Sequence, residues 1–139
     1  MRDLPVGTRG SVTITVDQSL TVPAVSDQYP GFDTMPPVFA TAYMVGLAEA
    51  AAMDALHPAL EDGESSVGIE VAFDHTAATP IGLTVTADAE VTAVEGRTVT
   101  FRVVLRDDVE QIGEGTHRRA VINRAKFDAR VGAKGSAAG

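Results

Sequence analysis

Residues Val38 to Leu56, VFATAYMVGLAEAAAMDAL, constrain the fold more than any other part of the chain. Their apolar and alanine-rich composition predicts one long helix, in which the only charged residues are Glu49 and Asp54. At 3.6 residues per turn, Glu49 lies within an apolar stripe and Asp54 lies on the opposite face. The stripe consists of Val38, Ala42, Val45, Glu49, Ala52 and Leu56.

Glu49 is therefore the first candidate functional residue. An unpaired carboxylate in an apolar environment costs roughly several kcal/mol. Glu49 must therefore either have a functional role or be paired with a cation or hydrogen-bond donor. An arginine partner or a subunit contact would satisfy it as well as a catalytic role would. A membrane span is not expected, because the stretch is rich in alanine, carries two acids and follows the helix-start signal Pro36-Pro37.

The length of the chain predicts one domain over residues 1–130, and the order of its predicted elements makes it an α+β domain. The small and polar residues 131–139, VGAKGSAAG, are expected to form a disordered tail. The chain has 45% hydrophobic residues but no tryptophan, so its core must consist mainly of Val, Ala, Ile and Leu. Such residues favour strands around a helix of small residues.

The composition disfavours several functions, and the N-terminal sequence indicates a location. The chain has no cysteine, which excludes disulfides, thiolate metal sites and a cysteine nucleophile, and we expect no metal site. Its net charge of -8 argues against binding to nucleic acid or to anionic membranes. Its first ten residues, MRDLPVGTRG, contain no apolar signal core, so a cytoplasmic location is expected.

The charges are unevenly distributed. From Arg118 onward there are six basic residues and one acidic residue, a net charge of +5, whereas the first 117 residues carry -13. The basic end could receive the phosphorylated tail of a cofactor, or it could protect a strand edge from pairing. Both interpretations remain open from the sequence.

Alternating apolar residues predict five strands. Glu95-Gly96 has the length of a hairpin turn, and the glycines at 113 and 115 suggest a bulge or a close backbone approach. The predicted strands are residues 10–17, 66–75, 83–94, 98–105 and 111–127.

The chain between the first strand and the helix, residues 18–37, contains four prolines and is expected to be a lid-like loop. The order of elements predicts an antiparallel sheet of about five strands curled round one helix. One helix leaves part of the sheet and both its edges uncovered, so a homodimer is expected.

Four segments together resemble the fluoroacetyl-CoA thioesterase group of the hot-dog fold. The second and fourth are the most specific, and the resemblance extends over nearly the whole chain. The segments are VFATAYMVGLAEAAAM (Val38 to Met53), DHTAATPIGLTVT (Asp74 to Thr86), VEGRTVTFRV (Val94 to Val103) and IGEGTHRRAVIN (Ile112 to Asn123).

The resemblance implies a homodimer that hydrolyses a short-chain acyl-CoA thioester, with coenzyme A as part of the substrate and no separate cofactor. It implies a reacting centre made of Thr41, Glu49 and His75. Gly68 and Arg119 match weaker positions near the acyl pocket, and each has an alternative: Gly68 a strand bulge, Arg119 a pairing with acids or phosphate. His57 and His117 are expected to be structural.

The loop before the helix departs from the family pattern at one position. The fluoroacetyl-selective member has two phenylalanines there that cover the acyl group, whereas this chain has Phe32 and Met35. Methionine is flexible and defines a pocket less sharply. The preference for a fluorinated substrate is therefore expected to be weaker than in that member, whereas hydrolysis of the thioester is still expected.

Two other functions remain open. A hot-dog hydratase or dehydratase would use an acid and a histidine on the helix, but this helix contains no histidine. A non-catalytic acyl-CoA-binding protein would use the same pocket, and the sequence does not separate it from an enzyme.

Overall fold

The computed structural model describes residues 1–139 and contains five strands and two α-helices. The strands are β1 (Arg9–Thr15), β2 (Glu64–Phe73), β3 (Thr84–Glu95), β4 (Thr98–Asp107) and β5 (Gln111–Asn123), and the helices are α1 (Thr41–Leu56) and α2 (Arg124–Ala138). Short 3₁₀ turns occupy parts of the loop before α1, and another, His57–Ala59, follows it. No helix is long and apolar enough to cross a membrane.

All strand pairs are antiparallel, in the order β1-β3-β4-β5-β2. The sheet curls round α1, which confirms the architecture expected from the sequence. β2 precedes β3 in the chain but pairs with β5, so β1 and β2 form the two edges. The strand that ends two residues before His75 therefore has one unpaired side, which is free to meet another strand.

The core is one cluster of 21 buried residues, chiefly Val, Leu, Ala and Phe. Alanines in α1 allow β1 to approach closely: a Cβ at Gly10 would clash with the backbone of Ala51 and Ala55. The close backbone approaches predicted at Gly113 and Gly115 of β5 are also present. Cβ atoms at Gly113 and Gly115 would clash with the carbonyl oxygens of Asp74 and Ala72.

The predicted buried stripe of α1 is wrong in part. The buried residues are Met44, Leu47, Ala48, Ala51, Ala52, Ala55 and Leu56. Ala42 is exposed, Val45 is half-buried, and the side chain of Glu49 keeps 37% of its surface accessible. Because alanines and other apolar residues lie on every side of this helix, its sequence does not identify the face that the sheet covers.

The predicted boundaries need two further corrections. The β3–β4 turn is Gly96-Arg97 rather than Glu95-Gly96, and Gly96 supplies the positive φ of +63° that this turn requires. The chain after β5 is helical to Ala138, whereas the sequence pattern predicts a strand to Phe127 and then a disordered tail. Asn123 starts this helix, because its side chain accepts a hydrogen bond from the backbone N–H of Lys126.

Candidate active site

Thr41 and His75 form a hydrogen-bonded pair, with 2.8 Å between Oγ1 of Thr41 and Nδ1 of His75. Thr41 is the first residue of α1, and the N-cap position belongs to Ala40. The Thr41 hydroxyl therefore does not cap the helix and is free to bond to His75. The backbone N–H groups of Thr41 and Ala42 make no hydrogen bond within the chain, as expected for a first helical turn.

His75 lies just beyond the end of β2 with its imidazole partly buried. Its Nε2 atom is buried without a hydrogen-bond partner. Burial lowers the pKa of His75 below its ordinary value of 6.5, although the Ala77 backbone and the Asp74 carboxylate oppose that shift. At neutral pH the imidazole is therefore uncharged and able to accept a proton.

A small cleft of about 240 Å³ surrounds this pair. Five of its eight lining residues are apolar, and Thr41, His75 and Thr76 contribute polar groups. The lining residues are Val22, Val38, Phe39, Thr41, His75, Thr76, Ala77 and Ala78. Its size and lining are suited to a short acyl group beside a hydroxyl and an imidazole.

The expected lid residues do not line this cleft. Phe32 packs edge-on against Tyr29, with ring centroids 5.2 Å apart, and Met35 is 45% exposed. The loop residue Val22 and the β-bridged residue Val38 provide the wall instead.

Glu49 forms a second group with Arg119. Nη1 of Arg119 lies 2.8 Å from Oε2 of Glu49. The arginine is 3% exposed and also donates to the hydroxyl and the carbonyl oxygen of Ser66. Arg119 is therefore a fixed partner that orients Glu49 rather than a free cation for substrate phosphate. This is the arginine pairing that the sequence left open for both residues.

His117 is part of the same network, although the sequence predicted only a structural role for it. It is fully buried, and its Nδ1 lies 2.8 Å from the carbonyl oxygen of Glu70. A carbonyl only accepts, so Nδ1 carries the proton and Nε2 accepts from Arg119 Nη1 at 3.2 Å. Burial and the adjacent Arg119 lower the pKa of His117 and keep it neutral.

Gly68 leaves the space that the Glu49 carboxylate occupies. A Cβ at this position would lie 2.8 Å from Oε2 of Glu49 and 3.1 Å from Cε1 of His117. The strand also shifts register between Gly68 and Glu70, so the predicted bulge is present, and the place of Gly68 in an acyl pocket stays a prediction.

Within one chain the two groups are separate. Thr41 and Glu49 are eight positions apart in the helix, or about 12 Å along its axis, and no hydrogen bond joins Glu49 or Arg119 to Thr41 or His75. Sequence reasoning missed Ser66 and His117. The available signal was alternation along β5, since His117 and Arg119 are two residues apart and point to the same face.

An antiparallel five-stranded sheet curled round one helix is the hot-dog fold, and comparison with known proteins places this chain among the thioesterases of that fold. Residues 16–125 match the family described as fluoroacetyl-CoA-specific thioesterase, and the chain belongs to that family. It is thus a hydrolase of thioester bonds.

Individual relatives agree with this assignment. The chain is 48% identical over 132 residues to the fluoroacetyl-CoA thioesterase of Streptantibioticus cattleyicolor, covering 94% of this chain and 95% of that protein. A solved structure of a fluoroacetyl-CoA thioesterase variant in complex with acetyl-CoA is 46% identical, with a TM-score of 0.92 over 94% of this chain and 98% of that one. A thioesterase superfamily member from Thermus thermophilus is 29% identical, with a TM-score of 0.86 over 99% of both chains.

Proposed function

We propose that the protein hydrolyses a short-chain acyl-CoA to the free acid and coenzyme A, with fluoroacetyl-CoA and acetyl-CoA as the substrates to test first. The observation that carries this proposal is the Thr41–His75 pair in a cleft of about 240 Å³. Relatives are named for the fluorinated substrate, and one solved relative holds acetyl-CoA.

In the proposed reaction the thioester carbonyl oxygen faces the Thr41 hydroxyl and the free backbone N–H groups of Thr41 and Ala42. These donors stabilise the negative charge that develops when the carbonyl carbon is attacked. The Glu49 carboxylate either attacks that carbon or removes a proton from an attacking water. If Glu49 acts as the base, the water oxygen adds to the acyl carbon, the carbon–sulfur bond breaks, and the proton that Glu49 removed from water passes to the leaving thiolate, directly or through His75. If Glu49 attacks instead, the thiolate leaves as an acyl–Glu49 anhydride forms. Neutral His75 then removes a proton from the water that hydrolyses this anhydride and passes it to the thiolate, which restores the Glu49 carboxylate.

The proposal requires a homodimer with a shared site. β2 is an unpaired edge on which Ile69 and Val71 are 48% and 50% exposed. If β2 pairs antiparallel with a second β2, the end of one strand approaches the middle of the other. Thr41 and His75 of one protomer would then face Glu49, Gly68 and Arg119 of its partner, which would bring the two separate groups together.

Thiol release from a short panel of acyl-CoAs tests the reaction itself. Release above the uncatalysed rate separates an enzyme from a non-catalytic acyl-CoA-binding protein, whereas binding without release would overturn the proposal. Light scattering tests the dimer, because a 14.5 kDa species at micromolar concentration would exclude a shared site. A cytoplasmic location stays a prediction of the sequence.

Mixing inactive variants tests whether the site is shared. Thr41→Ala and Glu49→Gln dimers, dissociated and reassociated together, should regain about a quarter of the wild-type rate, because half of the random pairs hold one intact site. A mixture of Thr41→Ala with His75→Ala is the control and should regain nothing, since both changes affect the same half-site. No recovery in the first mixture would place the site within one chain.

A further inference from the structure

A second cleft, of about 460 Å³, lies where β5 ends and α2 begins, beside the β3–β4 turn. Three of its lining side chains are basic: Arg97 from the turn, and Lys126 and Arg130 from α2. The full set of lining residues is Glu64, Arg97, Val121, Ile122, Asn123, Lys126 and Arg130. In a chain with a net charge of -8, this concentration of positive charge sets the cleft apart. We call it the basic cleft.

Two of the three cations are available to bind an anion. Lys126 and Arg130 are four residues apart and therefore share one face of α2, and neither forms an ion pair within the chain. Lys134 continues the same stripe one turn further on. Arg97 is held in place, because it donates to the carbonyl oxygen of Val121 at 3.1 Å and contacts Glu64 at 2.6 Å.

Glu64 is the one acidic residue of the cleft. The amino group of Met1, the Glu61 backbone and the Arg97 guanidinium lower its pKa to about 2, so it stays charged and neutralises one of the three cations. Two positive charges remain. Their partner is expected to be an anion with more than one charge, such as a phosphate or a diphosphate.

The basic cleft lies on the same sheet face as Glu49 and Arg119. Glu64, Ser66 and Gly68 pair with Asn123, Val121 and Arg119, and these alternate residues of β2 and β5 point to one side. Asn123 is four residues beyond Arg119, or about 13 Å along the strand. The extended pantetheine arm of coenzyme A can bridge a gap of this size between the thioester and the nucleotide phosphates.

We propose that the basic cleft binds the phosphates of the nucleotide arm of coenzyme A. The proposal rests on the proposed acyl-CoA hydrolysis and specifies how that substrate is held. The acidic first 117 residues disfavour a nucleic acid as the anion, since a long polyanion would also meet the negative surface.

The test compares Lys126→Gln/Arg130→Gln with Arg106→Gln/Arg124→Gln, which removes the same charge from residues that do not line the cleft. The cleft variant should raise KM for acetyl-CoA about tenfold with unchanged kcat, and added salt should shrink the difference. KM for acetylpantetheine, which has no nucleotide, should be equal in all three proteins. Acetyl-dephospho-CoA, which lacks the 3′-phosphate, then shows which phosphate is bound. If the cleft variant raises KM for this substrate as much as for acetyl-CoA, the cleft binds the diphosphate. If KM for this substrate is unchanged, the cleft binds the 3′-phosphate.

Calorimetric titration with adenosine 3′,5′-bisphosphate keeps this test independent of catalysis. We expect this ligand to bind equally well to the wild type and the control variant and about tenfold more weakly to the cleft variant. That result would support phosphate binding in the basic cleft even if the protein hydrolysed no thioester, in which case only the proposed function would be overturned. Equal KM values in the cleft and control variants, or an equal loss with acetylpantetheine, would overturn the inference while leaving hydrolysis intact. Circular dichroism should show that the cleft variant folds as the wild type does, because the side chains of Lys126 and Arg130 are exposed.

Discussion

Arg119 and Glu49 are joined by a 2.8 Å ion pair across 70 residues of sequence. The arginine is buried, whereas the carboxylate at the other end stays accessible, at 37% of its side-chain surface. The pair therefore presents one oriented carboxylate to the surface beside Gly68. This arrangement fits both interpretations of Glu49, as the structural ion-pair partner of Arg119 and as a catalytic carboxylate. Substitution of Glu49 distinguishes the two roles.

Glu49→Gln and His75→Ala should each lower thioester hydrolysis by at least about a hundredfold, the range expected when a positioned acid or base is lost. Neither change should unfold the protein, because Arg119 retains Ser66 and His117 as partners and His75 is only partly buried. Steady-state kinetics and thermal melting measure the two effects. Near-native turnover in either variant would contradict its catalytic role, and greater stability of Glu49→Gln would indicate a structural one.

Replacing Arg119 should destabilise the fold more than replacing its neighbour. Arg119→Gln removes donors from buried partners and is expected to cost about 3 kcal/mol of unfolding free energy. Arg118→Gln is the matched control. Arg118 lies on the outer face 3.6 Å from Glu70, both half exposed, so its loss should cost less than about 1 kcal/mol. Urea denaturation measures the free energy of unfolding of both variants. Equal losses would show that the buried hydrogen bonds of Arg119 add no stability beyond that of a surface ion pair.

Gly68→Ala should impair the reaction while the fold survives. The new methyl group would meet the flexible end of Glu49 at 2.8 Å and displace the carboxylate. We expect kcat to fall about tenfold or more, as for other misplaced catalytic groups. Gly46→Ala is the control, because nothing lies within 4 Å of its Cβ and helix propensity should stabilise it by about 0.5–1 kcal/mol. Unchanged kcat in Gly68→Ala would show that the position of Glu49 is not critical.

Activity and stability should both decline on the acid side. His75 and His117 have pKa values below 6.5 in the folded protein, so the unfolded chain binds their protons first as pH falls. The contribution of these histidines to the free energy of unfolding is therefore complete above about pH 6.5, decreases below it and levels off below their folded pKa values. The acid limb of kcat/KM should likewise lie below 6.5, since protonated His75 accepts no proton. Urea titrations and rate profiles between about pH 4.5 and 8 check this, and an acid limb above 6.5 would exclude neutral His75 as its origin.

Met35→Phe should raise the preference for fluoroacetyl-CoA over acetyl-CoA. Met35 is exposed and does not line the cleft within one chain, so the larger ring is tolerated. The prediction requires the loop before α1 to cover the acyl group when substrate binds, where a stiffer side chain would define the acyl site more sharply. The gain is expected to stay within about 1–3 kcal/mol, the range that a hydrophobic contact contributes to selectivity. Comparison of kcat/KM for both substrates tests it. A strong natural preference that Met35→Phe leaves unchanged would place selectivity near Thr41, Gly68 and His75.

Local pattern was sufficient to predict much of the fold. The alternation of residues in β2, β3 and β4 and the continuous apolar run of α1 depend only on neighbours in sequence, so their type and order could be predicted. Motif resemblance added Thr41, Glu49 and His75. The hydrogen bond between Thr41 and His75 could not be predicted, because it depends on how the end of β2 meets the start of α1.

The sequence by itself determined the five strands and the central helix, because periodicity is a property of short segments, and its resemblance to a known family indicated the candidate catalytic residues. Only the tertiary structure decided which face of α1 is buried, that β2 lies at a sheet edge, and that Arg119 and His117 hold Glu49. An alanine-rich helix has no polar face to exclude from the core, and the pairing of β2 with β5, far apart in the chain, is set by the packing of the whole sheet. For the same reason, the proposed assembly of Thr41, His75 and Glu49 into one site depends on a second copy of the chain.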